Sequence, residues 1–294
     1  AQIFHVKGRP ATNPLIVHVA DESMARTLAS EWPDIAQKAA AAFWPGPLTL
    51  VVPKADAVPD IVTAGGRTVA LRCPSLKATH HLIKLSQCPL AAPSANRSEA
   101  VSPTTAQHVL EGLGNRIGMI LDNGPCEHGL ESTVLDCTVD PPKVLRPGPI
   151  SSEQLAEALG TNMCSSESTP AGAGQGSAAD TVLRSPGTQQ RHYAPRTQLT
   201  LSEDAPAVIP QLIQDGHRVG WLCNFPEDNA VQTLATSPEV LVIPMPNDPA
   251  AYARSLYATL HALDQRELDR LIVDAVPSGP EWAAVRDRLN RAAT

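Results

Sequence analysis

Along the first 160 residues, short apolar runs of strand type alternate with longer stretches of helical spacing. Asp21 reads as the N-cap of a helix reaching Ala29, and a second helix is expected over 33–43. Trp44-Pro45-Gly46-Pro47 breaks the chain before a buried strand at 48–52. A strand at 68–72, a helix at 78–86 and a strand at 90–92 follow, the last running into the loop Pro93-Ser94-Ala95-Asn96. Ser102-Pro103 has the form of a cap with proline in the first turn, so a helix should start there. Strands at 117–122, 132–137 and 143–146 and a helix opening at Ser152 complete this part.

The composition then changes. From 161 to 184 the chain is rich in Ser, Gly, Ala and Thr, which cannot bury enough apolar surface to order itself. Beyond Pro195 the pattern is β-α-β-α-β (199–201, 207–215, 219–223, 230–236, 240–244). A helix over 249–268, a strand over 271–274 and a helix from Glu281 come next. Alternation of this kind predicts a parallel α/β sheet. No Gly-x-Gly-x-x-Gly follows its first strand, so dinucleotide binding has no support. The division expected is therefore 1–160, a linker or lid at 161–196, and a smaller α/β domain at 197–294.

The net charge of −7 argues against a broad basic nucleic-acid surface. Residues 1–160 hold 13 basic and 15 acidic side chains, a net of −2; the rest hold 10 and 15, a net of −5. No apolar run approaches the roughly 18 to 20 residues of a membrane span. The six scattered cysteines, without a Cys-x-x-Cys pair, read as reduced and mostly buried, which fits a cytoplasmic protein. His80-His81 fits packing or surface exposure better than zinc ligation.

Four segments place polar groups where strands begin or end. Lys7-Gly8-Arg9 with Asn13 suits a phosphate or carboxylate, and equally a solvated helix end; His18 closes the apolar run after it. Arg72 closes an apolar strand and needs an anion, from the protein or from a substrate. Ala92-Pro93-Ser94-Ala95-Asn96, with Ser102 beyond, offers close backbone approach and neutral hydrogen bonds, or a plain turn. Ser132-Thr133 and Arg146-Pro147-Gly148 bracket two further strands, where they would serve either a ligand or the backbone.

Taken in order, these segments resemble the YrdC family of threonylcarbamoyl-adenylate synthases, in the form with an extra C-terminal α/β domain. The resemblance rests on Lys-Gly-Arg-Pro (7–10), Trp-Pro-Gly-Pro-Leu-Thr-Leu (44–50), Thr-Val-Ala-Leu-Arg-Cys-Pro (68–74), Ala-Pro-Ser-Ala-Asn (92–96), Glu-Ser-Thr-Val-Leu-Asp (131–136) and Leu-Arg-Pro-Gly (145–148). Ser185-Pro186-Gly187 and Arg191-His192-Tyr193-Ala194-Pro195 are similar to the family's interdomain signature. The resemblance implies a twisted open α/β catalytic sheet followed by a smaller, Rossmann-like parallel domain. It assigns ATP to Arg9, Asn13, Thr68, Ser94, Asn96, Ser102, Arg146 and Tyr193. Threonine falls to His18, Arg72, Ala92 and Ser132, and catalytic charge neutralisation to Lys7 and Arg9. It further implies Mg²⁺ arriving with ATP, no protein-bound metal, and bicarbonate as co-substrate. The product would feed a transferase modifying position 37 of tRNAs that read ANN codons, with little or no direct RNA binding and no membrane. The family's opening segment, of the type Pro-Thr-Glu-Thr-x-Tyr-Gly-Leu, does not occur, so the sequence is expected to be part of a longer one. Two other readings are a double-stranded-RNA or nucleotide-binding module without turnover, and a related carbamoyltransferase. The second normally carries Cys-x-x-Cys pairs.

Overall fold

A computed structural model describes residues 1–164 and 192–293. The stretch 165–191, which holds most of the expected linker and lid and the Ser185-Pro186-Gly187 motif, lies outside the described residues. In chain order the elements are α1 (Gln2–Lys7), β1 (Ile16–His18), α2 (Glu22–Arg26), α3 (Asp34–Phe43), β2 (Leu48–Pro53), α4 (Asp60–Thr63), β3 (Thr68–Arg72), α5 (Lys77–Ser86), β4 (Leu90–Ala91), α6 (Ala106–Leu113), β5 (Thr133–Asp136), β6 (Lys143–Arg146) and α7 (Ser152–Leu159). Then come β7 (Gln198–Ser202), α8 (Ala205–Gln214), β8 (Val219–Cys223), α9 (Asn229–Leu234), β9 (Val240–Pro244), α10 (Pro249–Asp264), β10 (Arg270–Asp274) and α11 (Ala283–Ala292). Two compact units emerge, 1–94 with 131–188 and 95–130 with 189–294, so the segment carrying α6 makes its contacts with the C-terminal part of the chain.

The first unit is built on a six-stranded mixed sheet in the order β4-β1-β3-β2-β5-β6. The β1–β3 and β2–β5 pairs are parallel; β1–β4, β2–β3 and β5–β6 are antiparallel. Because successive side chains point to opposite faces, the sheet sorts its residues into two sets. Val17, Leu48, Leu50, Val52, Val69, Leu71, Leu135 and Val144 join the main core with Ala36, Ala39 and Ala40 of α3 and Leu155 and Leu159 of α7. The alanine face of α3 lets it lie close on β2, in a chain where aromatics are only 3% of residues. Ile16, Val51, Ala70 and Val134 form a smaller cluster on the other face.

The second unit holds a parallel sheet, β7-β10-β8-β9. Val219, Trp221, Cys223 and Ile272 face Ile209 and Val231 of α8 and α9. Leu222, Leu271 and Val273 face Tyr252, Leu256 and Tyr257 of α10 and Val285 and Leu289 of α11. Helices thus cover both faces, as the alternating sequence pattern predicts.

Several local expectations need correction. Residues 117–122 form no strand; Met119 and Leu121 are 83% and 67% exposed, and an extended segment without a neighbour has no ladder to join. The helix expected to start at Ser102 starts at Ala106, because the Thr105 side chain accepts from His108 N and caps it. Of the cysteines, Cys73, Cys137 and Cys223 are buried, Cys88 and Cys126 are exposed, and Cys164 is intermediate. Asp21 does cap its helix, accepting from Met24 N at 2.8 Å, and Ser151 with Gln154 forms a capping box at α7.

Two glycines make opposite demands. A Cβ on Gly148 would meet Thr133 N at 2.3 Å and Glu131 O at 2.7 Å, both backbone, so the Arg-Pro-Gly turn lies directly on the start of β5. Gly112, inside α6, has open space around it. Gly148→Ala should therefore lower the thermal midpoint, by roughly 2–4 °C for each kcal/mol of strain. Gly112→Ala should raise stability by about 0.5–1 kcal/mol. Thermal denaturation of the two variants beside the parent checks both directions.

Candidate active site

The residues singled out in the sequence separate by unit. Lys7, Arg9, Asn13, His18, Thr68, Arg72, Ala92, Ser94, Ser132 and Arg146 lie in the first; Asn96, Ser102 and Tyr193 lie in the second.

In the first unit, alternation along the strands collects a polar row next to the small cluster. His18 and Arg72 close β1 and β3 and are direct register partners. Thr49 pairs with Val134, and Val134 with Arg146. Extending the Leu50–Leu71 register by one step puts Thr49 beside Arg72. Ser132 joins the row through a 2.7 Å hydrogen bond between its hydroxyl and that of Thr49. Arg146, buried at 3% exposure, donates to Ser132 O at 2.9 and 3.2 Å and to its hydroxyl at 3.2 Å. Arg72 Nε donates to Gly46 O at 3.1 Å, which ties the Trp-Pro-Gly-Pro turn to the end of β3.

A second group sits where α1 meets the chain entering β1. Lys7 and Arg9 are buried, so the solvated helix end is excluded. Arg9 donates to Asn13 Oδ1 at 2.6 Å, Asn13 O at 3.2 Å and Pro14 O at 2.8 Å. Lys7 Nζ donates to Ser94 O at 2.6 Å, fastening α1 to the loop that leaves β4. Asn13 is fully buried, and its Nδ2 makes no hydrogen bond. Thr68 opens β3, pairing with Pro53, four residues from Arg72. That is about 13 Å at roughly 3.3 Å per residue, longer than an amino acid and within the length of a nucleotide. Ala92 is exposed, while His18, Thr68, Arg72 and Ser94 are half-buried, so ligands can reach them.

Electrostatics sharpen the roles. Burial, and then the Arg72 cation, pull the His18 pKa down to about 4. His18 is therefore neutral at pH 7, leaving Arg72 as the positive charge of that strand pair. Burial, and then Arg9, bring Lys7 down to about 7. Among the partners of these four cations are neutral oxygens: carbonyls, an amide and a hydroxyl. Such a lining suits an incoming anion. Among the described residues, no group of three or more His, Cys, Asp or Glu side chains is placed to hold a metal ion. A surface cavity of about 460 Å³, lined by Glu31, Lys38, Thr138 and Asp140 among others, contains none of these site residues.

In the second unit, Asn96 is buried and donates to Ala100 O at 2.7 Å. The Ser102 carbonyl accepts from His261 Nε2 at 3.1 Å. The Tyr193 ring is 1% exposed, stacked on Tyr257 at 5.7 Å with the Arg288 guanidinium 5.1 Å from its centre. It is part of this unit's core, not a ring displayed on a linker. The signal missed in the sequence was Thr49, whose hydroxyl looks like an ordinary strand residue until it meets Ser132.

Two family models cover the chain: Sua5–YciO–YrdC, described as "Telomere recombination", over residues 1–148, and "Threonylcarbamoyl-AMP synthase, C-terminal domain" over residues 150–294. The chain is 37% identical over 300 residues to the threonylcarbamoyl-AMP synthase of Pyrococcus abyssi, covering 99% of this chain and 83% of that one. It is 39% identical to the Bacillus subtilis threonylcarbamoyl-AMP synthase, at 99% and 82% coverage. A crystal structure of P. abyssi Sua5 complexed with L-threonine superposes with a TM-score of 0.85 at 35% identity, over 99% of this chain and 83% of the other.

The depressed Lys7 pKa gives a signed prediction. An unfolded Lys7 stays protonated to about 10.5, whereas the folded one loses its proton near 7. Between those values the unfolded state binds more protons, so stability rises with pH; at and below pH 7 the burial penalty is felt in full. Lys7→Met should raise the thermal midpoint at pH 6.5, and the gain should shrink as pH approaches 10. A gain independent of pH would show that Lys7 is not the titrating group.

Proposed function

We propose that this chain, which belongs to the Sua5–YciO–YrdC family and carries the C-terminal domain of threonylcarbamoyl-AMP synthases, makes L-threonylcarbamoyl-adenylate from L-threonine, bicarbonate or CO₂, and ATP. The observation that carries this reading is the pairing of Arg72 with a neutral His18 on adjacent strand ends. A guanidinium there clamps the amino-acid carboxylate through two parallel hydrogen bonds. The uncharged imidazole tolerates the amine and hydroxyl beside it. Ser132, held by Thr49 and Arg146, offers a further hydroxyl, and Ala92 leaves room for the side chain.

ATP enters as its Mg²⁺ complex, the ion being part of the substrate. Lys7 and Arg9 supply desolvated positive charge for the phosphates, with Arg146, Asn13, Thr68 and Ser94 as further contacts. Asn96 and Ser102 are proposed ATP contacts on the resemblance alone. Tyr193 is assigned to ATP on the same ground, but its buried ring gives no support to a lid role. In the reaction, threonine's amine adds to CO₂, giving a carbamate with release of a proton. A carbamate oxygen then attacks the α-phosphorus of ATP, and pyrophosphate leaves. The carbamate is already anionic, so this attack needs no strong base; positioning and charge neutralisation carry it. The product adenylate is labile and would be consumed by a transferase acting on tRNA.

Pyrophosphate release from ATP should require both threonine and bicarbonate; equal release with serine or with no amino acid would contradict the assignment. Arg72→Ala should weaken threonine binding by about 10- to 150-fold, the loss of roughly 1.5–3 kcal/mol from a charge-assisted contact. ATP binding should change far less. Calorimetric titration of each ligand separately decides it, since an equal loss for both would make Arg72 a structural residue.

A further inference from the structure

In the second unit, two histidines from distant parts of the sequence form a stacked pair. His108 of α6 and His261 of α10 lie with ring centres 3.9 Å apart and planes 22° apart. Each ring also holds the segment that precedes α6. His261 Nε2 lies 3.1 Å from Ser102 O; since a carbonyl can only accept, Nε2 carries the proton. Thr104 N donates to His108 Nδ1 at 3.2 Å, so that nitrogen carries none, and the Thr104 hydroxyl lies 3.3 Å from it. Thr104 O in turn accepts from Cys126 N at 2.8 Å. The tautomers of both rings are thereby fixed by backbone groups on either side of Pro103.

From this geometry we infer that His261, with His108 stacked on it, is a positioning residue for ATP. It sets Ser102 through the Ser102 carbonyl, and it needs His108 neutral as the acceptor for Thr104 N. The inference rests on the reading of Ser102 as an ATP contact. Protonating His108 at Nδ1 removes the acceptor for Thr104 N. Among the described residues, Glu111 on α6 is an acidic group acting on the pair, and it is held by Gln107 and by Gln265, just beyond α10. Its attraction raises the His108 pKa, but burial and then His261 outweigh it and pull that pKa below the ordinary imidazole value. His108 is therefore held in its neutral, accepting form more firmly than an ordinary imidazole, and protonating it by acidification loosens the clamp.

The experiment measures steady-state KM for ATP and for threonine in the whole chain from pH 5.5 to 8, with four variants. His261→Ala, which loses the donor and the stack, should raise KM for ATP about 3- to 10-fold at pH 8, or roughly 0.65–1.4 kcal/mol, the size of one lost hydrogen bond. KM for threonine should stay constant. His261→Gln keeps an N–H donor and cannot charge, so it should hold KM for ATP within about twofold of the parent at pH 8. His108→Gln keeps a side-chain acceptor for Thr104 N and cannot charge, so it should lessen the rise in KM for ATP that the parent shows toward pH 5.5. Ser102→Ala keeps the carbonyl and removes only the hydroxyl, so it tests the underlying reading. If Ser102→Ala leaves KM for ATP unchanged, the ATP assignment of Ser102 falls, and the inference with it. If Ser102→Ala raises KM for ATP while His261→Ala does not, or shifts both substrates equally, the assignment stands and the positioning role is overturned. An acid limb equally steep in the parent and in His108→Gln overturns the proton-linked part.

Discussion

Buried positive charge is the constraint around which the first unit is organised. Removing Lys7, Arg9 and Arg146 from water costs several kcal/mol per ion unless other dipoles replace the lost hydration. Carbonyls of Asn13, Pro14, Ser94 and Ser132 do so, and each belongs to a stretch that enters or leaves a strand. The cations therefore tie together the loops at the ends of β1, β4 and β5. These neutral oxygens hold the cations without neutralising them, and burial together with Arg9 lowers the Lys7 pKa, which an anion bound beside it would raise again.

The sheet supplies the second half of the design. Period-two alternation delivers one face of β1, β2, β3 and β5 to the α3–α7 core and leaves the other face for Ile16, Ala70, Val51 and Val134. Along that second face the end positions are polar: His18, Arg72, Thr49, Ser132. The same alternation that makes the core thus aligns the chemistry. Mixed topology matters here, because it sets the ends of the parallel strands β1 and β3 beside the start of the antiparallel β2.

Much of this was legible in the sequence, for reasons that differ by residue. The strands of the second unit were plain because each is a short apolar run bounded by turn residues, and helices cover both faces. Asp21 was legible because capping is local. The Thr105 cap was not, since Ser102-Pro103 offers an equally good local signal and only the folded chain, where the Thr105 hydroxyl accepts from His108 N, decides between them. Residues 117–122 have strand composition, but composition does not say whether a neighbouring strand exists. Lys7-Gly8-Arg9 reads the same whether solvated or buried; its burial comes from contacts such as that with Ser94, 87 positions away. The His108–His261 stack is separated by more than 150 positions and leaves no trace in either local pattern. The burial of Tyr193 was not legible, because its neighbours in sequence are those of a linker, while its partners, Tyr257 and Arg288, come from α10 and α11.

The central claim is that Lys7 and Arg9 form a desolvated cationic seat for the phosphates of ATP. Proton uptake on binding tests it most directly, because a polyphosphate beside Lys7 must raise a pKa that starts near 7. Calorimetric titration of MgATP at pH 8, in buffers of different ionisation enthalpy, counts the protons taken up. Uptake approaching one proton per ATP is expected, and it should vanish in Lys7→Arg, whose side chain is charged throughout. Uptake unchanged by that substitution, or none in the parent, would contradict the claim.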